Sequence, residues 1–487
     1  MEQNDENVAE KHDDLKPVTP AISRRNVLKY GALGLVGAGM LSTLEEMVTA
    51  PNRIAHAAPA SLPDIQFDIA NYIAPAQTID NVLFRFGPVY TVFAGAQLTR
   101  NPTKHDQQAL DNALQRIEGA YPFSPGGLFI TVSYGLPYFN RLPSALFQQH
   151  VPRLLSDQTR FALEEIKPGP TDVSPLNPGI TKPNFNVPVK IEANDVLFTL
   201  RSDSLVNLYD IMAWFKGSNR LNHHHVQSPH VSDLFHFTTE RLIFAQRGLP
   251  RLVAESTRQP YADRIHPQGP MWMSFSDQQV DGSGPAQIVT FQGNASAQFT
   301  TCKAGDYFYN GAVQPFSHII LDLAPFYDLP YDERVQLMFR STPAPAKGNA
   351  DQYTNSGGPA FLDNKFLGAG DAAQNAQLGR MGHLAAIQRV SRAADGTPLH
   401  MRIDGPGFDA LDVPDGSSQP KLQFSAFLPA AAVAALVRRN QASLDLAQQF
   451  NIPASQNGIE IFSTATRRQM FLVPPRSHRS FPLLELS

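Results

Sequence analysis

The chain has 487 residues, 42% hydrophobic and 17% charged, enough for two or three domains with cores of their own and too apolar for a disordered chain. Forty Lys and Arg against 44 Asp and Glu leave a formal charge of −4, so no general basic field is present to hold nucleic acid. Cys302 is the single cysteine, which excludes an intrachain disulfide framework, an all-cysteine zinc site and a cysteine-held iron–sulfur cluster.

Residues 1 to 22 are polar, and Ser23-Arg24-Arg25-Asn26-Val27-Leu28-Lys29 then leads into a 12-residue apolar run from Tyr30 to Leu41. That run is short of the roughly 20 residues that a stable bilayer span needs, and Ala55-His56-Ala57 offers a small-x-small cleavage site. The pattern is that of a twin-arginine export signal with its polar leader over residues 1–57. It predicts a periplasmic or extracellular mature chain, starting near Ala58, with no stable membrane span. The glycines at 31, 34, 37 and 39 lack the G-x-G-x-x-G order of a nucleotide loop.

In the mature chain, Asn81 to Ala96 reads as a strand region broken at Gly87-Pro88. His105 to Gly119 reads as a helix on the spacing of Leu110, Ala113, Leu114 and Ile117, and Leu128 to Tyr134 as a strand. Six prolines between Lys167 and Pro188 mark an extended linker or surface excursion. Asp195 to Leu200 resumes as a strand. Leu205 to Phe215 follows as an amphipathic helix with Leu205, Leu208, Ile211, Met212 and Phe215 on one face. Strand, helix, strand, strand, helix, strand is the ferredoxin-like order.

A second copy follows. Ile288–Gln292 and Ile319–Leu323 read as strands, Tyr331–Phe339 as a short helix and residues 341 to 376 as a polar loop. Leu422–Phe427 reads as a strand, Ala430–Phe450 as one long helix, and Ile459–Phe462 with Met470–Val473 as two closing strands. The predicted fold is α+β, with two tandem ferredoxin-like domains over residues 61–283 and 284–487 and antiparallel sheets. There are too few helices for the crossovers of one parallel sheet.

The residues from Gly382-His383 through Arg402, the strand from Lys421, the long helix and the closing Phe471-Leu472-Val473-Pro474-Pro475 resemble the dye-decolourising haem peroxidases. The resemblance implies two ferredoxin-like domains, with haem b held in the second. It also implies hydrogen peroxide and a small organic donor as substrates. Family order is an aspartate in a G-x-x-D-G loop, then the proximal histidine, then the distal arginine. Here Ser274-Phe275-Ser276-Asp277-Gln278 resembles the loop, His383 the iron ligand and Arg402 the arginine. Both loop glycines are replaced, by Ser274 and Gln278, and Ile403-Asp404-Gly405 follows the arginine. The resemblance therefore implies a remote branch with a reshaped pocket. The alternative is a haem-free binding or structural protein that keeps the fold.

The residue types suit the chemistry. A single axial imidazole leaves the opposite iron position open. O–O cleavage needs a base to move a proton, which suits Asp277, and a cation for the charge on the leaving oxygen, which suits Arg402. Read singly, the same residues also fit a structural histidine, a turn carboxylate and a surface ion pair with Asp404. His400 is the rival iron ligand. It stands two residues from Arg402 and in a strand would share its face, whereas the two roles need opposite haem faces.

His223-His224-His225 with His230, Asp233 and His236 has metal-ligand types but also reads as a solvated loop. Arg467, Arg468, Arg476, His478 and Arg479 read as a solvated strand edge, or as an anion site. No G-x-S-x-G elbow supports serine hydrolysis. Homo-oligomerisation is compatible with the sequence and not specified by it.

If Arg24 and Arg25 direct export, changing both to Lys leaves the precursor uncleaved inside the cell. N-terminal sequencing of the exported wild-type chain places the cut close to Ala57.

Overall fold

The computed structural model describes residues 61–75, 77–79, 82–84, 87–275, 285–293, 299–339, 369–389 and 398–487. The export leader with Arg24 and Arg25, the loop residues Asp277 and Gln278, the boundary at 283/284 and residues 340–368 of the polar loop lie outside the described residues.

The first half runs β1 (Tyr90–Leu98), α1 (Lys104–Ala120), β2 (Phe129–Gly135), β3 (Val196–Ser202), α2 (Leu205–Phe215) and β4 (Phe235–Phe244). A capping box sets the start of α1. The Thr103 hydroxyl accepts the Asp106 N–H, and the Asp106 carboxylate accepts the Thr103 N–H at 2.7 Å. Its buried stripe is Leu110, Ala113, Leu114 and Ile117, the three- and four-residue spacing of the sequence. The expected helix over Leu205–Phe215 is present, capped by Ser204.

The second half has β5 (Ala312–Leu321), helices α3 (Tyr331–Met338), α4 (Ala369–Gln377) and α5 (His383–Gln388), then β6 (Met401–Arg402), β7 (Gly405–Asp409) and β8 (Gln419–Phe427). Helices α6 (Ala431–Ala442) and α7 (Leu444–Gln449) lead to β9 (Ser463–Val473). Within each half the strands lie in the order second, third, first, fourth, with β6 and β7 sharing the second place. That is the ferredoxin-like arrangement, made twice.

Strand β9 joins the halves. It pairs antiparallel with β5 along ten residues and with β2 at Phe471↔Gly135 and Leu472↔Tyr134. The result is one ten-stranded sheet. Its two ends meet where Gly407 of β7 comes against β4. A Cβ on Gly407 would stand 2.8 Å from the Leu242 carbonyl oxygen and 3.3 Å from the Gln423 side chain, so the glycine permits the approach that closes the sheet into a barrel. Side chains alternate between the two faces. Phe93, Leu197, Ile243, Phe316, Phe427 and Phe471 cluster inside, while Val92, Phe198, Leu242, Val313 and Leu472 pack outward in the large core shared with the helices.

Several elements depart from the sequence expectation. Residues 286–289 form a 3-10 turn, not a strand, because Ala286 and Val289 fill the inner apolar cluster. Residues 369–377, expected as loop, are helix α4. The expected long helix from Ala430 breaks at Ser443, which has φ +45° and donates its hydroxyl to the Asn440 carbonyl at 2.6 Å. The two closing strands are one, β9, preceded by a 3-10 turn at Glu460–Phe462. Coil 167–188 is a surface excursion only in part: Thr171, Asp172, Val173, Ser174 and Lys182 are buried, whereas Pro175, Leu176, Pro183 and Pro188 are exposed.

Gly407→Ala is expected to lower stability by about 1–3 kcal/mol through this overpacking, read from the urea midpoint; an unchanged midpoint shows that the barrel seam does not depend on the close approach.

Candidate functional site

His383 opens α5 after Gly382. The segment before it is stitched to the turn at 456–458: the Met381 N–H donates to the Gln456 carbonyl at 2.9 Å, and the Gly458 N–H to the Met381 carbonyl at 2.8 Å. Farther along α5, the Ala385 N–H donates to the Phe339 carbonyl. Nδ1 of His383 is buried and has no hydrogen-bond partner among the described residues. Burial pushes the imidazole down to about 4, with Glu460 opposing and Arg438 adding to the effect. At neutral pH the ring is therefore a neutral nitrogen donor.

Beside it lies a buried ionic network. Glu460 accepts from the Thr171 hydroxyl and from Gln441 Nε2 at 2.8 Å, and its backbone carbonyl accepts from Lys182. Asp172 receives both arms of Arg468, at 2.7 and 2.8 Å, and Arg438 stands 3.6 Å from both carboxylates. Burial alone would raise Asp172, but the Arg468 guanidinium outweighs it and holds the carboxyl down to about 2. Glu460 is likewise pulled below its ordinary value against burial, by Arg438 and Lys182. Burial lowers Lys182.

Arg402 lies on β6, opposite Ala426 of β8. Its neighbours Met401 and Ile403 pack in the inner cluster. Arg402 therefore takes the outer, helix-covered face, on which Ser317 and Arg468 pair at 2.8 Å beside the network next to His383. His400 is buried and lies outside the strand.

The aspartate loop can be followed as far as Phe275, whose ring packs edge-on to Phe339 at 5.2 Å. Phe339 is also the residue that accepts from α5, so the loop leaves the described region beside the helix that begins with His383. Ser274 has φ +66°, the left-handed conformation that favours glycine. Its hydroxyl accepts the His266 N–H at 2.8 Å and shares a 2.7 Å hydrogen bond with the Tyr327 hydroxyl. The left-handed turn at Ser274 is thus held by its side chain.

The other sequence candidates resolve differently. His223, His224 and His225 are exposed around a small hairpin, and no group of three or more His, Cys, Asp or Glu among the described residues has metal-site geometry. The basic run is not a solvated edge. Arg468 pairs with Asp172, Arg467 with Asp412 and Glu192, and Arg476 and Arg479 with Glu118, because β9 is interior to the sheet. Cys302 is buried and its thiol pushed up to about 12 by burial and Asp306, which removes it as a nucleophile at neutral pH. A surface cleft of about 600 Å³ is lined by His150, Arg153, Tyr307 and His478 among others, and by none of the three candidate residues. Sequence reasoning missed Asp172, Lys182, Arg438 and Glu460, which carry no local motif.

Fold and site together define a tandem ferredoxin-like barrel with a half-buried neutral imidazole, its Nδ1 fully covered, on its helix-covered face. The chain belongs to the family of unknown function DUF7405, whose model matches residues 88–475. No curated protein matches it. Among solved structures it is similar to a putative DyP-type peroxidase from Shewanella oneidensis, at 13% identity over 83% of this chain and 96% of that one, TM-score 0.47. It is also similar to the encapsulated DyP-type peroxidase from Mycobacterium smegmatis, at 15% identity over 81% and 95%, TM-score 0.45. A third similar structure is a Rhodococcus jostii DypB variant in complex with heme, at 13% identity over 81% and 96%, TM-score 0.45. Among the described residues no helix is long and apolar enough to cross a membrane.

The lowered His383 value has a stability consequence. Between its ordinary 6.5 and about 4 the unfolded chain binds the proton more readily. The stability at stake is complete above pH 6.5 and is lost as pH falls toward 4, by at most roughly 3 kcal/mol. Urea midpoints of haem-free protein from pH 7 to 4 should fall, and should fall less in His383→Gln. Equal slopes place the effect elsewhere.

Proposed function

We propose that the chain is an exported haem-dependent peroxidase-like protein that oxidises a small organic donor with hydrogen peroxide. The observation that carries this is His383: a neutral imidazole with a buried, unsatisfied nitrogen is costly, by about 1–3 kcal/mol, unless something takes its lone pair or its proton. That donor would hold the iron of haem b. When bound, haem would supply the redox centre that reacts with peroxide.

The remaining chemistry belongs to the chain. His383 would hold the iron from α5. Arg402, on the same helix-covered face, would hold negative charge developing on the leaving peroxide oxygen. Asp277, three residues after Ser274 in the sequence, would move the proton between the peroxide oxygens. Export by the twin-arginine route, which carries folded proteins, fits a cofactor inserted before transport.

Protein purified with haem available should show a Soret band. His383→Ala should remove or alter it, and His400→Ala should leave it unchanged; the reverse pattern transfers the ligand role to His400. On rapid mixing with peroxide, Arg402→Leu should slow the reaction on the order of 10²-fold or more, and Asp277→Asn less if water relays the proton. Absence of a Soret band in wild type favours the haem-free binding protein. Haem bound without reaction favours storage, delivery or sensing.

A further inference from the structure

The barrel interior carries polar groups that the site around His383 does not use. Arg241 is fully buried on the inner face of β4, opposite Phe93, with its guanidinium 4.6 Å from the Phe316 ring centre. Nη2 pairs with Glu192. Nε and Nη1 are buried and have no acceptor among the described residues. Three further buried atoms are equally unmet: the hydroxyl of Thr239, two residues earlier on the same strand face; Oε2 of Glu192; and Oε1 of Gln423. Gln423 stands on β8 across from His318, with its amide on Asp409. Native interiors leave few such atoms unsatisfied, so several in one barrel call for buried water or a small polar guest to meet them.

The charges say which kind. On the inner face Arg201, Arg241, Lys421 and Arg467 stand with Glu192, Asp409 and Asp412; four cations less three carboxylates leaves one positive charge, the largely exposed Lys190 not counted. His318 does not alter the count, because burial lowers it below its ordinary value. The unmet guanidinium nitrogens can only donate, and call for acceptor oxygens in one plane. The unmet oxygens of Glu192 and Gln423 can only accept, and call for a hydroxyl. A planar monoanion with both features meets the donors and one of the two acceptors, leaving the other to water. Lys190, whose side chain is 62% exposed beside buried Asp412, marks the end at which the barrel opens to solvent.

We propose that the barrel interior binds a small hydroxyl-bearing oxyanion of the bicarbonate class, its acceptor oxygens on Arg241 and Thr239 and its one hydroxyl donated to either Glu192 or Gln423. Calorimetric titration of the full chain with sodium bicarbonate, at fixed pH and ionic strength, should find one ion per chain. Formate, which has no hydroxyl, should bind at least tenfold more weakly, and chloride more weakly still. Arg241→Met should weaken bicarbonate at least tenfold. Thr239→Val should weaken it several-fold with an unchanged urea midpoint, and decides the matter if Arg241→Met does not fold. The proposal is overturned if wild type takes up no bicarbonate, so that the interior holds water only. It is equally overturned if formate or chloride binds as tightly, or if affinity is unchanged in the folded variants.

Discussion

Two arginines in succession on a strand paired along both edges place a buried charge on each face of the sheet, and β9 carries such a pair. Arg467 and Arg468 lie in the middle of a sheet that β9 itself joins into one piece, pointing to opposite faces. Each needs a carboxylate, because removing one partner of a buried pair costs about 3–5 kcal/mol. On the outer face Asp172 serves Arg468, and on the inner side Asp412 and Glu192 serve Arg467. Asp172 and Glu192 come from one stretch of proline-rich coil, whose residues 190–191 pair parallel with β9 at Arg467 and Arg468. The coil is folded because the central strand requires its charges.

That requirement shapes the candidate site. Once Asp172 is drawn in to Arg468, Thr171 reaches Glu460 and Lys182 reaches the Glu460 carbonyl. Glu460 is thereby occupied by Thr171, Gln441 and Lys182. It acts on His383 through its charge without a hydrogen bond to the ring, and Nδ1 stays unmet. The free nitrogen is thus a consequence of how the neighbouring charges are satisfied.

What the sequence made legible was whatever depends on near neighbours. The spacing of Leu205, Leu208, Ile211, Met212 and Phe215 is a property of one helix, and it held to the residue. The order of strands and helices gave the tandem ferredoxin-like arrangement, because hydrophobic period and connection length are local quantities. Arg467 and Arg468 were misread as a solvated edge since nothing near them in sequence neutralises them; Asp172 is 296 residues from Arg468. Prolines in 167–188 signalled the absence of regular structure correctly and were silent about burial. Arg241 offered no signal at all, standing next to Glu240 in the strand with nothing local to mark which of the two charges faces the interior.

The two arginines also explain why the chain tolerates so much buried charge. A hydrophobic replacement of a buried ion pair is often neutral or stabilising, so such pairs are weak evidence for stability and better evidence for specificity. A ten-stranded barrel made from two copies of one topology has a register problem: a one-residue slip of β9 would exchange its inner and outer faces. With Arg468 fitting only the Asp172 side and Arg467 only the Asp412 and Glu192 side, such a slip would strand two charges at once. The bulge between His318 and Ile319 of β5 falls opposite this stretch of β9, and the Thr466 hydroxyl there meets His318 Nδ1 at 2.7 Å. The charged positions of β9 therefore act as a register lock, which fixes the helix-covered face toward His383 and the inner face toward Arg241.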